Sequence, residues 1–188
     1  MKMPFIILDR DGVINYDSHE YIKSADEWEP IPGSLEAIAQ LNRLGYRVII
    51  VTNQSGISRG YYDLETLDNI HEKLQRELAA VGGHIEAIFF CPHKPDDNCH
   101  CRKPKPGMLE QIHEKYHIDF AETFFIGDSL VDMQVAMSVG CKPILVLSGN
   151  GKNTLETNHK LKDVLHFADL SAAVEYIANL TNNTSHYI

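Results

Sequence analysis

The chain has 188 residues, 44% of them hydrophobic and 23% charged, with a formal net charge of -9. That length suits one globular domain with a packed core, and the acidic balance argues against a basic nucleic-acid face. No apolar run is long enough to cross a bilayer and the first residues lack a signal-peptide pattern, so the expectation is a cytosolic protein with no membrane or nucleic-acid partner.

The first predicted element is a buried strand over residues 5–8. It runs directly into Asp9-Arg10-Asp11-Gly12-Val13. Asp9 and Asp11, one residue apart on extended backbone, project to the same side. Two carboxylates that close repel unless a cation or a shared proton intervenes, and magnesium is the hard, oxygen-seeking candidate. A solvated Asp-Gly turn would explain the same residues. A helical stripe follows at Leu35, Ile38, Leu41 and Leu44, with Gly45 at its end.

Residues 48–51 form the second strand, followed by Thr52-Asn53-Gln54-Ser55-Gly56. The Thr52 and Ser55 hydroxyls and neighbouring N–H groups can hold phosphate oxygens, or can simply cap a polar loop. The long stripe Leu64, Leu67, Ile70, Leu74, Leu78 and Val81 predicts a helix with Asp63 as N-cap and Gly83 as stop.

The third strand, residues 85–90, ends at Cys91-Pro92-His93, and Cys99-His100-Cys101 lies a short loop away. The C-x-H-x5-C-x-C spacing supplies four soft or borderline ligands, Cys91, His93, Cys99 and Cys101, enough to close a tetrahedral structural zinc site. His100 is the rival to His93, and four unrelated residues with free thiols is the plain alternative. Cys141 is remote and reads as a buried apolar residue. Arg102, Lys103 and Lys105 then make the tightest basic cluster of an acidic chain. Such a cluster suits phosphate, although a solvated basic loop looks the same.

A helix marked by Met108, Ile112 and Tyr116 leads to a fourth strand at 123–126. Gly127-Asp128-Ser129 follows it, with Asp132 one helical turn on. Asp128 completes an oxygen-ligand set, or is only a helix cap. Leu130, Met133 and Met137 mark the next helix, ended by Gly140, and residues 143–147 the fifth strand. The segment GNGKN at 149–153 misses Walker A spacing and reads as a plain loop. A weak edge strand at 164–167 and a helix at Leu170, Val174 and Ile177 close the domain, expected over 1–180, with 181–188 a frayed tail.

Alternating β and α elements predict an α/β fold: a single Rossmann-like, doubly wound domain with a mainly parallel sheet and helices on both faces. Ligands of such folds bind beyond the carboxyl ends of the strands. The chemistry-bearing clusters follow strands one, two, three and four, so they converge on one crevice.

Together these residues resemble the haloacid dehalogenase superfamily of aspartate-nucleophile phosphatases. Asp9-Arg10-Asp11-Gly12-Val13 looks like its first motif, Thr52 its second, Lys103 its third, and Gly127-Asp128 with Asp132 its fourth. The resemblance implies a capless, Mg2+-dependent phosphatase that passes through an aspartyl-phosphate. Asp9 would be the nucleophile and Asp11, with a raised pKa, the general acid and base. Thr52 and Lys103 would hold the phosphoryl group, and Asp9, Asp11 (through its carbonyl) and Asp128 the magnesium. DRDGVIN at 9–15, TNQSGISRG at 52–60, CPH at 91–93 and CRKPKPGM at 101–108 are similar to the branch that removes the 7-phosphate of D-glycero-D-manno-heptose 1,7-bisphosphate. Its zinc loop is shared with the histidinol-phosphate phosphatases. That branch implies substrate contacts from Arg10, from Asp17, Ser18, His19, Glu20 and Tyr21, from Asn53, Gln54, Ser55 and Arg59, and from Arg102 and Ser129. The partner expected is a small phosphorylated sugar, and the protein a monomer. The rival readings are histidinol-phosphate phosphatase, a non-catalytic phosphosugar-binding module and a zinc-dependent nucleic-acid binder.

Overall fold

Continuous apolar runs do become strands. A computed structural model describes residues 3–184 and contains β1 (Phe5–Leu8), β2 (Arg47–Asn53), β3 (Ala87–Cys91), β4 (Phe124–Gly127), β5 (Lys142–Val146) and β6 (Leu165–Phe167). All pair in parallel in one sheet of order β3-β2-β1-β4-β5-β6. The helices are α1 (Ser34–Arg43), α2 (Leu64–Ala80), α3 (Gly107–Tyr116), α4 (Leu130–Val139), α5 (Gly151–Thr157) and α6 (Leu170–Thr184). The fold is a single α/β domain with helices on both faces, as expected.

The period of the strand decides which face each side chain covers. Ile6, Leu8, Val48 and Ile50 join α1, α2 and α6 on one face. Phe5, Ile7, Ile49 and Val51 meet α3 and α4 on the other. Each fully buried Leu or Ile contributes about 1.5–3 kcal/mol, so both faces need helical cover. The long connection between β1 and α1 sinks Val13, Ile14, Ile22 and Trp28 into the same core, and so builds no separate cap.

Several details differ from the reading of the sequence. The segment after β5 is not a plain loop, because α5 begins within it at Gly151. This helix has no apolar stripe; its buried residues are Gly151 and Thr154. The turn that ends α2 uses Gly82, at φ +80°, where Gly83 was expected. α6 continues to Thr184, into the segment expected to fray, and residues 185–188 lie outside those described. No helix among the described residues is long and apolar enough to cross a membrane.

The strand order reverses at β1 and β4, which leave β1 with β2 on one side and β4 on the other. Crevices at such switch points are where open α/β sheets bind ligands, and Asp9 and Asp128 stand there.

Candidate active site and metal centres

β1 and β4 run in register, Leu8 beside Ile126, and the Asp9 N–H donates to the Ile126 carbonyl at 2.9 Å. This places the next residues of both strands side by side. Oxygens of Asp9, Asp128 and Asp132 lie within 4.8 Å of one another, all three residues buried. Lys103 Nζ reaches into the group, 2.9 Å from Asp9 Oδ1 and 2.7 Å from Asp132 Oδ1, and donates to the Val51 carbonyl at 2.8 Å. Asp132 caps α4 as well: Ser129 N–H and Oγ–H both donate to its Oδ2, at 3.1 and 2.6 Å. Ser129, expected at the substrate, is thus committed to the cap.

Three buried carboxylates face one ammonium. Burial, then the charge of Asp132, pushes Asp128 up to about 7. Burial and Asp132 also hold Asp9 well above the usual carboxylate range, against the pull of Lys103. Lys103 moves up because Asp132 and Asp9 outweigh the burial that opposes its charge. A divalent cation would relieve the excess of negative charge, and the hard oxygen donors suit magnesium. Among the described residues, Asp9 Oδ2 and Asp128 Oδ1 accept no hydrogen bond, so each carboxylate keeps an oxygen for an ion.

Asp11 stands in a separate network. Arg10 Nε and Nη2 donate to Asp11 Oδ1 at 3.0 and 2.9 Å, Asn15 Nδ2 to the same oxygen at 2.9 Å, and Gln54 Nε2 to Oδ2 at 2.8 Å. Burial raises the Asp11 carboxyl, but the Arg10 charge and these donors win and hold it below the usual range. This corrects the expected raised pKa: the Arg10 fork, with Asn15 and Gln54, outweighs burial. Arg10 itself is fully buried and also meets His71 Nε2 at 3.1 Å. Burial, then the Arg10 charge, keeps that imidazole neutral with a pKa of about 3. Gln54 donates to Thr52 Oγ1 at 2.9 Å and accepts from Tyr62 Oη at 2.6 Å. Arg10 and Gln54, expected at the substrate, hydrogen-bond to Asp11, and Gln54 to Thr52 as well. His71, Asn15 and Tyr62 complete this network; Asn15 closes the DRDGVIN segment at 9–15, whereas no sequence motif marked His71 or Tyr62.

The cysteine cluster closes at the end of β3. Cys101 Sγ is 3.0 Å from Cys91 Sγ and 3.5 Å from Cys99 Sγ, Cys91 and Cys99 are 3.5 Å apart, and His93 Nδ1 is 3.3 Å from Cys101 Sγ and 3.7 Å from Cys91 Sγ. The edges of a tetrahedron with Zn–S bonds of about 2.3 Å are about 3.7 Å, so this donor set could close on zinc. His100 points away from the cluster, 2.6 Å from Glu110. Cys99 is lowered to about 7: burial opposes this, but the Arg102 N–H and the neighbouring thiols and imidazole outweigh it. Cys141 is buried against the α4 face, which pushes its thiol up to about 12.

The zinc loop leads straight to Lys103. Arg102 Nη1 donates to the His93 carbonyl at 3.1 Å. Asn53 and Lys103 exchange two hydrogen bonds, Lys103 N–H to Asn53 Oδ1 at 3.1 Å and Asn53 Nδ2 to the Lys103 carbonyl at 3.2 Å. Stripping zinc with a selective chelator in excess magnesium is expected to lower Tm by at least about 5 °C, the effect of roughly 2 kcal/mol in a domain of this size. Scanning calorimetry paired with elemental analysis reads it. Zinc-free protein as purified, or an unchanged Tm, would remove zinc from the account.

The remaining candidates lie in the connections that follow β1 and β2. Ser55 is nearly buried and its carbonyl accepts from Ser58 Oγ, while Arg59 is exposed. Asp17 Oδ1 accepts from Ser18 N–H at 2.8 Å, and Ser18 Oγ from Glu20 N–H at 3.1 Å. His19 and Glu20 are exposed, and the Tyr21 ring meets Tyr61 in a tilted pair, centroids 5.1 Å apart and planes at 53°. A cleft of about 270 Å³ is lined by Tyr16, Asp17, His19, Gly149 and Asn150. Another, of about 200 Å³, lies against Asn98, Arg102, Lys103 and Lys105. A larger groove of about 410 Å³ between α2 and β3 borders His71 but none of the carboxylate cluster.

Comparison with known proteins agrees with this geometry. Family models described as haloacid dehalogenase-like hydrolase and HAD-hydrolase-like match residues 6–82 and 100–173. A D-glycero-β-D-manno-heptose-1,7-bisphosphate 7-phosphatase of Pseudomonas aeruginosa is 54% identical over 155 residues, 82% of this chain and 87% of that protein. The enzyme of the same name from Bordetella bronchiseptica is 49% identical over 175 residues, 93% of this chain and 98% of that protein. A crystal structure of D,D-heptose 1,7-bisphosphate phosphatase from B. bronchiseptica, complexed with magnesium and phosphate, superposes with a TM-score of 0.92. It shares 48% identity and covers 95% of this chain and 99% of its own.

Proposed function

The chain belongs to the haloacid dehalogenase-like hydrolase family, and from that premise we propose that it hydrolyses the 7-phosphate of D-glycero-D-manno-heptose 1,7-bisphosphate through an aspartyl-phosphate on Asp9. The observation that carries this reading is the meeting of Asp9, Asp128 and Asp132 around Lys103 at the sheet's switch point, in a chain whose relatives are named for that reaction.

Asp9, Asp128 and the Asp11 carbonyl would hold magnesium, which when bound neutralises the carboxylates and polarises the phosphoryl group. An Asp9 oxygen attacks phosphorus and the bond to the sugar oxygen breaks. Asp11 gives that oxygen its proton. Water then attacks the same phosphorus, Asp11 takes the water's proton, and the bond to Asp9 breaks to release phosphate. Asp11 rests as a carboxylate under Arg10, so the charge of the entering phosphoryl group must raise its proton affinity before it can act as an acid. Thr52 Oγ1 accepts from Gln54, which leaves its own hydrogen for a phosphoryl oxygen. Lys103 and the Arg10 N–H, 2.7 Å from Asp9 Oδ1, hold the nucleophile in place. Arg102 and Lys105 line the cleft beside Lys103 and supply the cations that a second phosphate needs. We read the protein as a monomeric cytosolic enzyme with one catalytic domain over 1–180.

A panel of the heptose 1,7-bisphosphate, heptose 7-phosphate and histidinol phosphate, assayed for phosphate release, tests the proposal. The bisphosphate is expected to have the highest kcat/KM. Arg102→Ala should lower that value by about 50-fold, the scale of a charge-assisted contact of roughly 2–3 kcal/mol. The loss on the monophosphate should be under about threefold. Faster turnover of histidinol phosphate would reject the substrate, and equal losses on both sugars would remove Arg102 from recognition.

A further inference from the structure

The loop Ser148-Gly149-Asn150, between β5 and α5, reaches three parts of the site at once. The Asn150 backbone N–H donates to Asp128 Oδ2 at 2.7 Å. Its side-chain Nδ2 donates to Asp17 Oδ2 at 3.1 Å. Ser148 Oγ donates to the Gly12 carbonyl at 2.7 Å, and Thr154 Oγ1, on α5, to the Asp128 carbonyl at 2.9 Å. Gly149 holds φ +55°, and a Cβ there would overlap Asp128 Oδ2 and crowd the Gly12 Cα at 2.5 Å. The Asp128 carboxylate is thus packed between two glycine backbones, one from the loop after β1 and one from the loop after β5. Ser148, Gly149, Asn150 and Thr154 lie outside the four motifs of the sequence, although Gly12 and Asp128, which they hold, lie inside them.

The cleft beside this junction, between Asp17 and Asn150, has a volume of about 270 Å³ and is lined by no lysine or arginine. At about 30 Å³ per water it holds roughly nine water volumes, the scale of one sugar ring. Its polar groups are a carboxylate, an amide, an imidazole and a phenol. They pair with neutral hydroxyls, whereas a phosphate would meet the Asp17 carboxylate unfavourably.

We propose that Asn150 is a specificity-determining, positioning residue: its side chain sets Asp17 toward the hydroxylated carbon body of the substrate while its main chain seats Asp128. The inference rests on the sugar-phosphatase reading above. It separates two functions of one residue, because a side-chain substitution leaves the N–H to Asp128 in place.

The test uses purified holoenzyme, heptose 1,7-bisphosphate kinetics and magnesium titration calorimetry. Asn150→Ala is expected to raise KM about 10-fold, with kcat changed less than about threefold and the magnesium Kd within about twofold, the loss of one hydrogen bond to a charged group. Asn150→Asp sets two carboxylates face to face and should raise KM further. Exchanging the pair, Asp17→Asn with Asn150→Asp, should recover at least half of that loss on a logarithmic scale. Gly149→Ala should instead weaken magnesium binding and lower kcat. A fall in kcat at constant KM for Asn150→Ala, or no recovery in the exchanged pair, overturns the proposal. Failure of the wild-type protein to hydrolyse the heptose bisphosphate would reject the substrate reading instead, and the exchange would then be scored on the sugar phosphate that the wild type turns over best.

Discussion

Asp9→Asn is expected to lower phosphate release by about 10⁴-fold or more, the scale for removal of a covalent nucleophile, while the fold survives. Activity is lost because an amide cannot form the acyl-phosphate and is a poorer metal ligand. The fold is kept because Asp9 is already a costly charge. Burial and the carboxylates of Asp132, Asp128 and Asp11 all oppose its ionisation, and Lys103 is the charge that favours it. The variant removes one of those repulsions, and Lys103 keeps Asp132 at 2.7 Å. Without magnesium it should melt no lower than the wild type. Phosphate-release assays and thermal melts on one preparation check both halves. Turnover within about 100-fold of the wild type would remove Asp9 as nucleophile, and a collapsed Tm would show that Asp9 holds the fold.

Lys103→Met should do the opposite to stability. Lys103 is almost completely buried and is the cation shared by Asp9 and Asp132. Removing one partner of a buried ion pair leaves the other charge uncompensated, a cost of about 3–5 kcal/mol. Methionine roughly keeps the volume, so the loss is electrostatic rather than a cavity. In a domain of this size that amounts to a Tm lower by about 6–20 °C. Magnesium should recover part of the loss, because it supplies positive charge to the same carboxylates. Turnover should fall by about 10²–10³-fold, as when one preorganised donor to transition-state charge is removed. A melt like the wild type's without magnesium would mean that Asp9 and Asp132 do not share this cation.

The strands were legible because parallel strands covered on both faces are continuous apolar runs, and the rule that sites follow strand ends brought Asp9, Thr52, Lys103 and Asp128 together before any coordinates. The Cys91, His93, Cys99 and Cys101 cluster was legible from its paired spacing, and His100, between two of its members, turns instead to Glu110. What stayed hidden was the direction of single side chains. The resemblance implies a substrate contact from Arg10, yet its fork closes on Asp11 and its Nη1 meets His71. His71 falls beside Ile70 in the α2 stripe and looks like part of the helix's packing. α5 escaped because it is held by hydrogen bonds to Asp128 rather than by an apolar face. Residues that only support others carry no spacing of their own, so the positions proposed as catalytic could be read while their supports could not.

The central chemical claim is a phosphoryl group carried on one carboxylate. Acid quench of the enzyme during steady-state turnover with magnesium, followed by borohydride reduction and peptide mass spectrometry, tests it most directly, since reduction turns an aspartyl-phosphate into homoserine. The account predicts homoserine at position 9 alone, absent without substrate and without magnesium. Homoserine at another aspartate, or an unmodified Asp9 in enzyme quenched while it accumulates a covalent phosphate, would contradict it.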